Sequence, residues 1–155
     1  MRRHHTISNT DNIIDSRDVI TRVDELESEL QDTHEEAVKE WDDDDADVRG
    51  PQPSPDFDTW LKTRADDDDD ARELLALRAL AAEGEDYAPD WRHGEALIRD
   101  DYFTTYAQQF ADDIGAINRE ATWPLCHIDW DAAAESLKQD YSAIDYDGVS
   151  YWVRS

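Results

Sequence analysis

Val19, Val23, Leu26, Leu30, Thr33 and Ala37 alternate intervals of four and three along the first third of the chain. That stripe predicts an amphipathic helix, and Asp15 or Ser16 just ahead can cap its first turn. It is too narrow to stabilise a lone helix, so it must meet another helix or a second copy of the chain, a homodimer. Residues 1–14 are polar and expected to be disordered. Trp41 and the aspartates after it should end the helix, since carboxylates oppose the dipole at a helix C-terminus. The segment GPQPSP, residues 50–55, reads as a connection because three prolines deny it regular hydrogen bonding. Phe57, Trp60 and Leu61 then offer a short docking patch. Leu74, Leu75, Leu77 and Leu80 predict a second helix over residues 71–82, preceded by aspartates that its N-terminal dipole favours.

The pattern changes after Gly84–Pro89. Phe103, Tyr106, Ala107, Phe110 and Ile114 share a helical face that Asp100 or Asp101 can cap and Gly115 can end. Asp129 can cap a further helix bearing Trp130, Ala133, Ala134, Leu137 and Tyr141. Residues 143–146 and 149–153 alternate as strands around Asp147-Gly148, a turn whose two positions both need positive φ. A hairpin alone is marginal, so it should pack on these helices, with a further strand near residues 96–99. The expected fold class is α+β: an acidic hairpin arm of two helices (residues 15–86), then a compact helix-helix-β-hairpin module (residues 87–155). Trp123, Trp130 and Tyr141 are candidates for the module's core.

Charge sharpens this division. The chain of 155 residues carries 40 acids and 15 Lys or Arg, a formal net charge of -25. Residues 1–86 hold 27 of the acids, and residues 87–155 hold 13. Such a field repels phosphate, so direct binding to nucleic acid or to an anionic membrane is not expected. No apolar run approaches membrane-spanning length, and the N-terminus lacks the apolar core of a secretory signal. A cytoplasmic protein is expected, within a host cell. With 28 Asp, 12 Glu and only three lysines, the composition also suits an ordinary protein adapted to high internal salt.

Catalytic and metal chemistry have little support. One cysteine, Cys126, excludes a disulfide framework. Cys126-His127 is an adjacent pair in an apolar stretch, where a buried structural cysteine is the ordinary reading. The five histidines lack metal-ligand spacing. Asp145-Tyr-Asp147-Gly148 lacks the later acidic ligand of a calcium loop. No phosphate-binding or nucleophile-elbow motif occurs. No enzyme activity, metal or cofactor is expected.

What remains is electrostatic. Glu25, Glu29, Asp32, Glu36 and Glu40 recur at three or four residues on the first helix, a rise of roughly 4.5–6 Å each. Asp42, Asp43, Asp44 and Asp45 form one dense run, and Asp66, Asp67, Asp68, Asp69 and Asp70 another. Asp100-Asp101 and Asp112-Asp113 add pairs on the module. Such an array could enter a basic DNA-binding channel in place of DNA. An acidic adaptor or antitoxin-like protein that neutralises a basic partner would show the same composition.

The block Asp101–Arg154 carries a likeness. Ala111-Asp112-Asp113-Ile114-Gly115 closes one helix, and Ile128-Asp129-Trp130-Asp131-Ala132-Ala133 opens the next. Leu137, Asp140-Tyr141 and the hairpin Asp147-Gly148 through Tyr151-Trp152-Val153-Arg154 follow. This block resembles the C-terminal part of the ArdA antirestriction proteins of phages, plasmids and conjugative elements. It is also similar to other small phage and mobile-element proteins. The resemblance implies an elongated acidic DNA mimic that blocks host restriction enzymes. The first 86 residues do not match, so an exchanged arm could direct the module to another defence system, such as a CRISPR effector.

Overall fold

Asp15 ends one element and begins the next. It is the last residue of strand β1 (Ile13–Asp15), and its carboxylate accepts the Arg17 N–H at 2.9 Å as N-cap of helix α1 (Ser16–Glu40). The computed structural model describes residues 7–41, 52–115 and 128–155. Aspartate caps recur along it. Asp56 caps α2 (Phe57–Arg64), Asp68 caps α3 (Asp69–Tyr87), and Asp129 caps α5 (Trp130–Leu137). Each accepts a backbone N–H that the first helical turn leaves unpaired. Strand β2 (Ala96–Arg99) follows α3, and a 3₁₀ turn (Asp100–Tyr102) leads from it into α4 (Phe103–Asp113). After α5 the chain closes with β3 (Tyr141–Tyr146) and β4 (Val149–Arg154).

The strands form one antiparallel sheet in the order β1-β2-β4-β3. Period-two alternation gives it two apolar faces. Leu97, Ile144, Tyr146, Tyr151 and Val153 point to a core completed by Val19, Leu26 and Leu30 of α1, Trp60 and Leu61 of α2, and Leu74, Leu77 and Leu80 of α3. Ile98 and Trp152 point the other way, with Phe103 and Ala107 of α4 and Ala134 of α5. The fold is α+β, with the sheet between two helical layers.

Several expectations hold. Asp147 and Gly148 turn the hairpin at φ 49° and 84°, and the strand near residues 96–99 is β2. Others change. Ile7 and Ile14 are buried and Ile13–Asp15 pairs with β2, so order begins well before residue 14. The two-helix arm contains a third helix, α2, because Trp60 and Leu61 bury fully enough to hold one. The second helix extends to Tyr87 rather than stopping near residue 82. Neither Asp100 nor Asp101 caps α4; both lie in the 3₁₀ turn, and Tyr102 at the cap position makes no side-chain capping bond. Tyr141 begins β3 instead of continuing α5, and its ring meets Phe103 edge-on at 5.2 Å. Trp130 is half-buried, and Trp123 lies outside the described residues.

The core does not divide near residue 86 as the charge does. Leucines of the acidic half and aromatic residues of the hairpin share one apolar cluster. The physical reason is β1: pairing a strand from residues 13–15 with β2 carries α1 onto the sheet.

Candidate functional site

Helix α1 buries one side against the core and leaves the others to water. Val19, Leu26, Leu30 and His34 are buried. At about 100° per residue, Glu25, Glu29, Asp32, Glu36 and Glu40 fall on a single flank within a strip about 80° wide. Glu29, Asp32, Glu36 and Glu40 are exposed and Glu25 is half-buried. The spacing read from the sequence therefore becomes a row along one edge of a 25-residue helix.

Two described arginines are tied chiefly to acids outside that row. Arg22 grips Glu73 of α3 through two bonds, at 3.2 and 2.9 Å, with only 11% of its side chain exposed. Arg78 of α3 bridges Glu27 of α1 and Asp58 of α2, at 2.9 and 3.0 Å. Burial pulls the Arg78 pKa down, but these carboxylates outweigh it and hold the guanidinium above its ordinary range. These contacts join three helices and consume acids absent from the expected array. Glu29, Asp32 and Glu36 pair with no base among the described residues. Glu25 sits 3.5 Å from Arg22.

The second acidic run splits in role. Asp68 caps α3, accepting the Asp70 N–H at 3.0 Å, and pairs with Arg64 at 2.6 Å. Asp69 pairs with Arg72 at 3.2 Å. Asp70 adds its charge beside Arg22, which brings the run near the α1 row. Asp66 and Asp67 are exposed and pair with no base among the described residues.

The acids on the C-terminal half are more committed. Asp100 accepts the Trp152 indole N–H at 2.8 Å and lies 3.5 Å from the Lys138 ammonium. The indole bond foremost, then Lys138, holds its carboxyl below the usual range. Asp101 pairs with Arg99. Asp112 is half-buried and Asp113 exposed at the end of α4. Asp42, Asp43, Asp44 and Asp45 lie outside the described residues, as do Cys126 and His127.

Sequence reasoning missed the partners. Arg22–Glu73 and Arg78–Glu27 each join residues 51 apart, a separation with no local signal. A nearer set was visible as spacing: Trp60, Arg64 and Asp68 recur every four residues. Among the described residues, no three potential metal ligands gather, and no helix is long and apolar enough to cross a membrane. The arrangement is thus a charged surface on a three-layer α+β scaffold. Comparison with protein-family models, with curated proteins and with solved structures yields no match.

Proposed function

We propose that the protein is a non-catalytic DNA mimic that inhibits a nucleic-acid-binding host defence complex, of the restriction or CRISPR-effector type. The observation that carries this reading is the row on α1. Glu29, Asp32 and Glu36 are exposed and without a base partner among the described residues, in line with Glu25 and Glu40. The row from Glu25 to Glu40 rises about 22 Å along α1, roughly two-thirds of a turn of duplex. A basic groove built for phosphates gains from such a row by the same release of counterions that drives DNA binding. Asp66 and Asp67 extend the exposed charge, and Asp42–Asp45 are part of the proposed contact set from sequence alone. Asp100 and Asp101 contribute field but are held by Trp152, Lys138 and Arg99.

The likeness of the block Asp101–Arg154 to ArdA proteins supports a mobile-element origin and an anti-defence role. It rests on the residues quoted above. The acidity itself suits two other readings, an adaptor for a basic protein and a salt-adapted surface.

The deciding experiment captures partners from a bacterial lysate at moderate salt and challenges them with duplex DNA. A mimic releases its partner as DNA is added, because the two compete for one groove. An adaptor stays bound beside the DNA. A salt-adapted surface captures no nucleic-acid-binding protein, and that outcome overturns the proposal.

A further inference from the structure

Arg64 covers Trp60, its guanidinium carbon 5.0 Å from the ring centroid. Its Nε also donates to Asp68 at 2.6 Å. The turn after α2 makes this possible, since the Asp68 N–H bonds back to the Arg64 carbonyl at 2.9 Å. An aromatic face with a carboxylate beside it is the arrangement that holds a guanidinium, whose plane can stack while its edge donates. Here the occupant is the chain's own. Trp60 is 7% exposed, whereas 41% of the Arg64 side chain meets water. The ring is thus sealed partly by a surface group whose two contacts are of the weak, exposed kind.

These residues border an open cleft of about 750 Å³, walled also by Ser54, Asp67 and Asp70. That volume is within the range of small-ligand sites. Its wall carries three carboxylates and one guanidinium, and Asp67 pairs with no base among the described residues. We propose that this cleft is a socket for an arginine side chain of a basic partner, with Arg64 as an exchangeable placeholder over Trp60. The inference rests on the reading above that the partner is basic, and it assigns a specific contact beyond general charge. DNA-binding grooves present arginine for phosphate; the socket would hold one such arginine on an indole, which DNA does not offer there.

The test uses the full chain and N-acetyl-arginine amide, followed by ¹H–¹⁵N NMR at the Trp60 indole and the amides of residues 66–70. Arg64→Ala should bind the probe about tenfold more tightly than the wild type, since the placeholder's stacking and ion pair no longer compete. Adding Asp68→Asn should cancel the gain while keeping a helix cap, because Asn caps as well as Asp. If Arg64→Ala melts early, Arg64→Lys carries the test, with a smaller gain because Lys lacks the planar fork. Equal affinity in wild type and variants overturns the socket, as do shifts spread over many acids that leave the Trp60 indole unmoved. Neither result touches the DNA-displacement experiment, so the socket and the mimic reading fail separately.

Discussion

The hydroxyl of Ser16 donates to the backbone carbonyl of Trp91 at 2.8 Å and accepts the N–H of Glu95 at 2.7 Å. Ser16 is wholly buried, and its own N–H reaches the Glu95 carbonyl at 2.9 Å. One small side chain therefore fastens the start of α1 to the turn that leads into β2. Ser16→Ala would leave a buried carbonyl and a half-buried N–H without their partner. The expected loss is about 2 kcal/mol, measured as a lower urea midpoint with an unchanged slope.

Gly84 and Trp91 fit by the absence of a side chain. A Cβ on Gly84 would lie 2.3 Å from the Trp91 ring, and Trp91 is 1% exposed. Helix propensity alone favours Ala inside α3 by about 1 kcal/mol. Overpacking costs typically about 1–3 kcal/mol and should win here, because the opposing atoms belong to a rigid indole. Gly84→Ala is therefore expected to lower the melting temperature. A rise would mean that Trp91 can move.

The two residue pairs show which parts of the fold were legible in the sequence. Asp147-Gly148 announced its turn, and Asp129 its cap, because each acts on backbone within a few residues. Ser16 and Glu95 are 79 apart, and nothing near either names the other. Strand β1 escaped notice for the same reason: three residues are too few to alternate, and pairing with β2 alone defines them. Tyr141 misled by position, four residues after Leu137, where a helical face would continue; instead Lys138–Asp140 forms a 3₁₀ turn and the strand begins. In the acidic surface, spacing on α1 was readable, but the division into paired and unpaired carboxylates was not. That division depends on arginines brought from other helices.

Buried phenols set an upper pH limit. Burial pushes Tyr146 up to about 12, with Glu73, Asp147, the neighbouring Tyr151 and Asp11 adding in the same direction. Burial likewise raises Tyr151 to about 12, against some relief from Arg99. The unfolded chain loses these protons near the ordinary value of 10.0, so above it the unfolded state binds fewer protons than the folded one. Stability is full below pH 10 and should fall as pH rises from there toward about 12. Tyr146→Phe should flatten that fall while giving up the bond to the Ile7 carbonyl at 3.1 Å. Denaturant melts across the alkaline range read both effects.

Asp100 works at the acid end. Its carboxyl is held below the ordinary 3.8 by the Trp152 indole and Lys138. A depressed folded value gives stability that is present above 3.8 and lost as pH falls through the folded value. With 57% of the Asp100 side chain exposed, solvent screening limits this to about 1 kcal/mol or less. Asp100→Asn should therefore be slightly less stable than the wild type at neutral pH. The gap should close in acid, and Trp152 fluorescence should report the change.

Glu29, Asp32 and Glu36 should behave in the opposite way. The combined change Glu29→Gln, Asp32→Asn, Glu36→Gln removes three charges from one flank of α1 without breaking an ion pair among the described residues. Surface changes of this kind usually move stability by no more than about 0.5 kcal/mol, and relief of like-charge repulsion along the row favours a small gain. Partner capture should weaken by more per charge removed than it does for a two-charge control, Asp86→Asn with Glu85→Gln, on the exposed end of α3. The salt dependence of capture should also become shallower, since every carboxylate neutralised takes away a share of the counterions exchanged on binding. Equal weakening per charge by both sets would show that the partner reads total charge and not the row. That result would leave an acidic protein with a basic partner, and would remove α1 as a stand-in for one edge of a duplex.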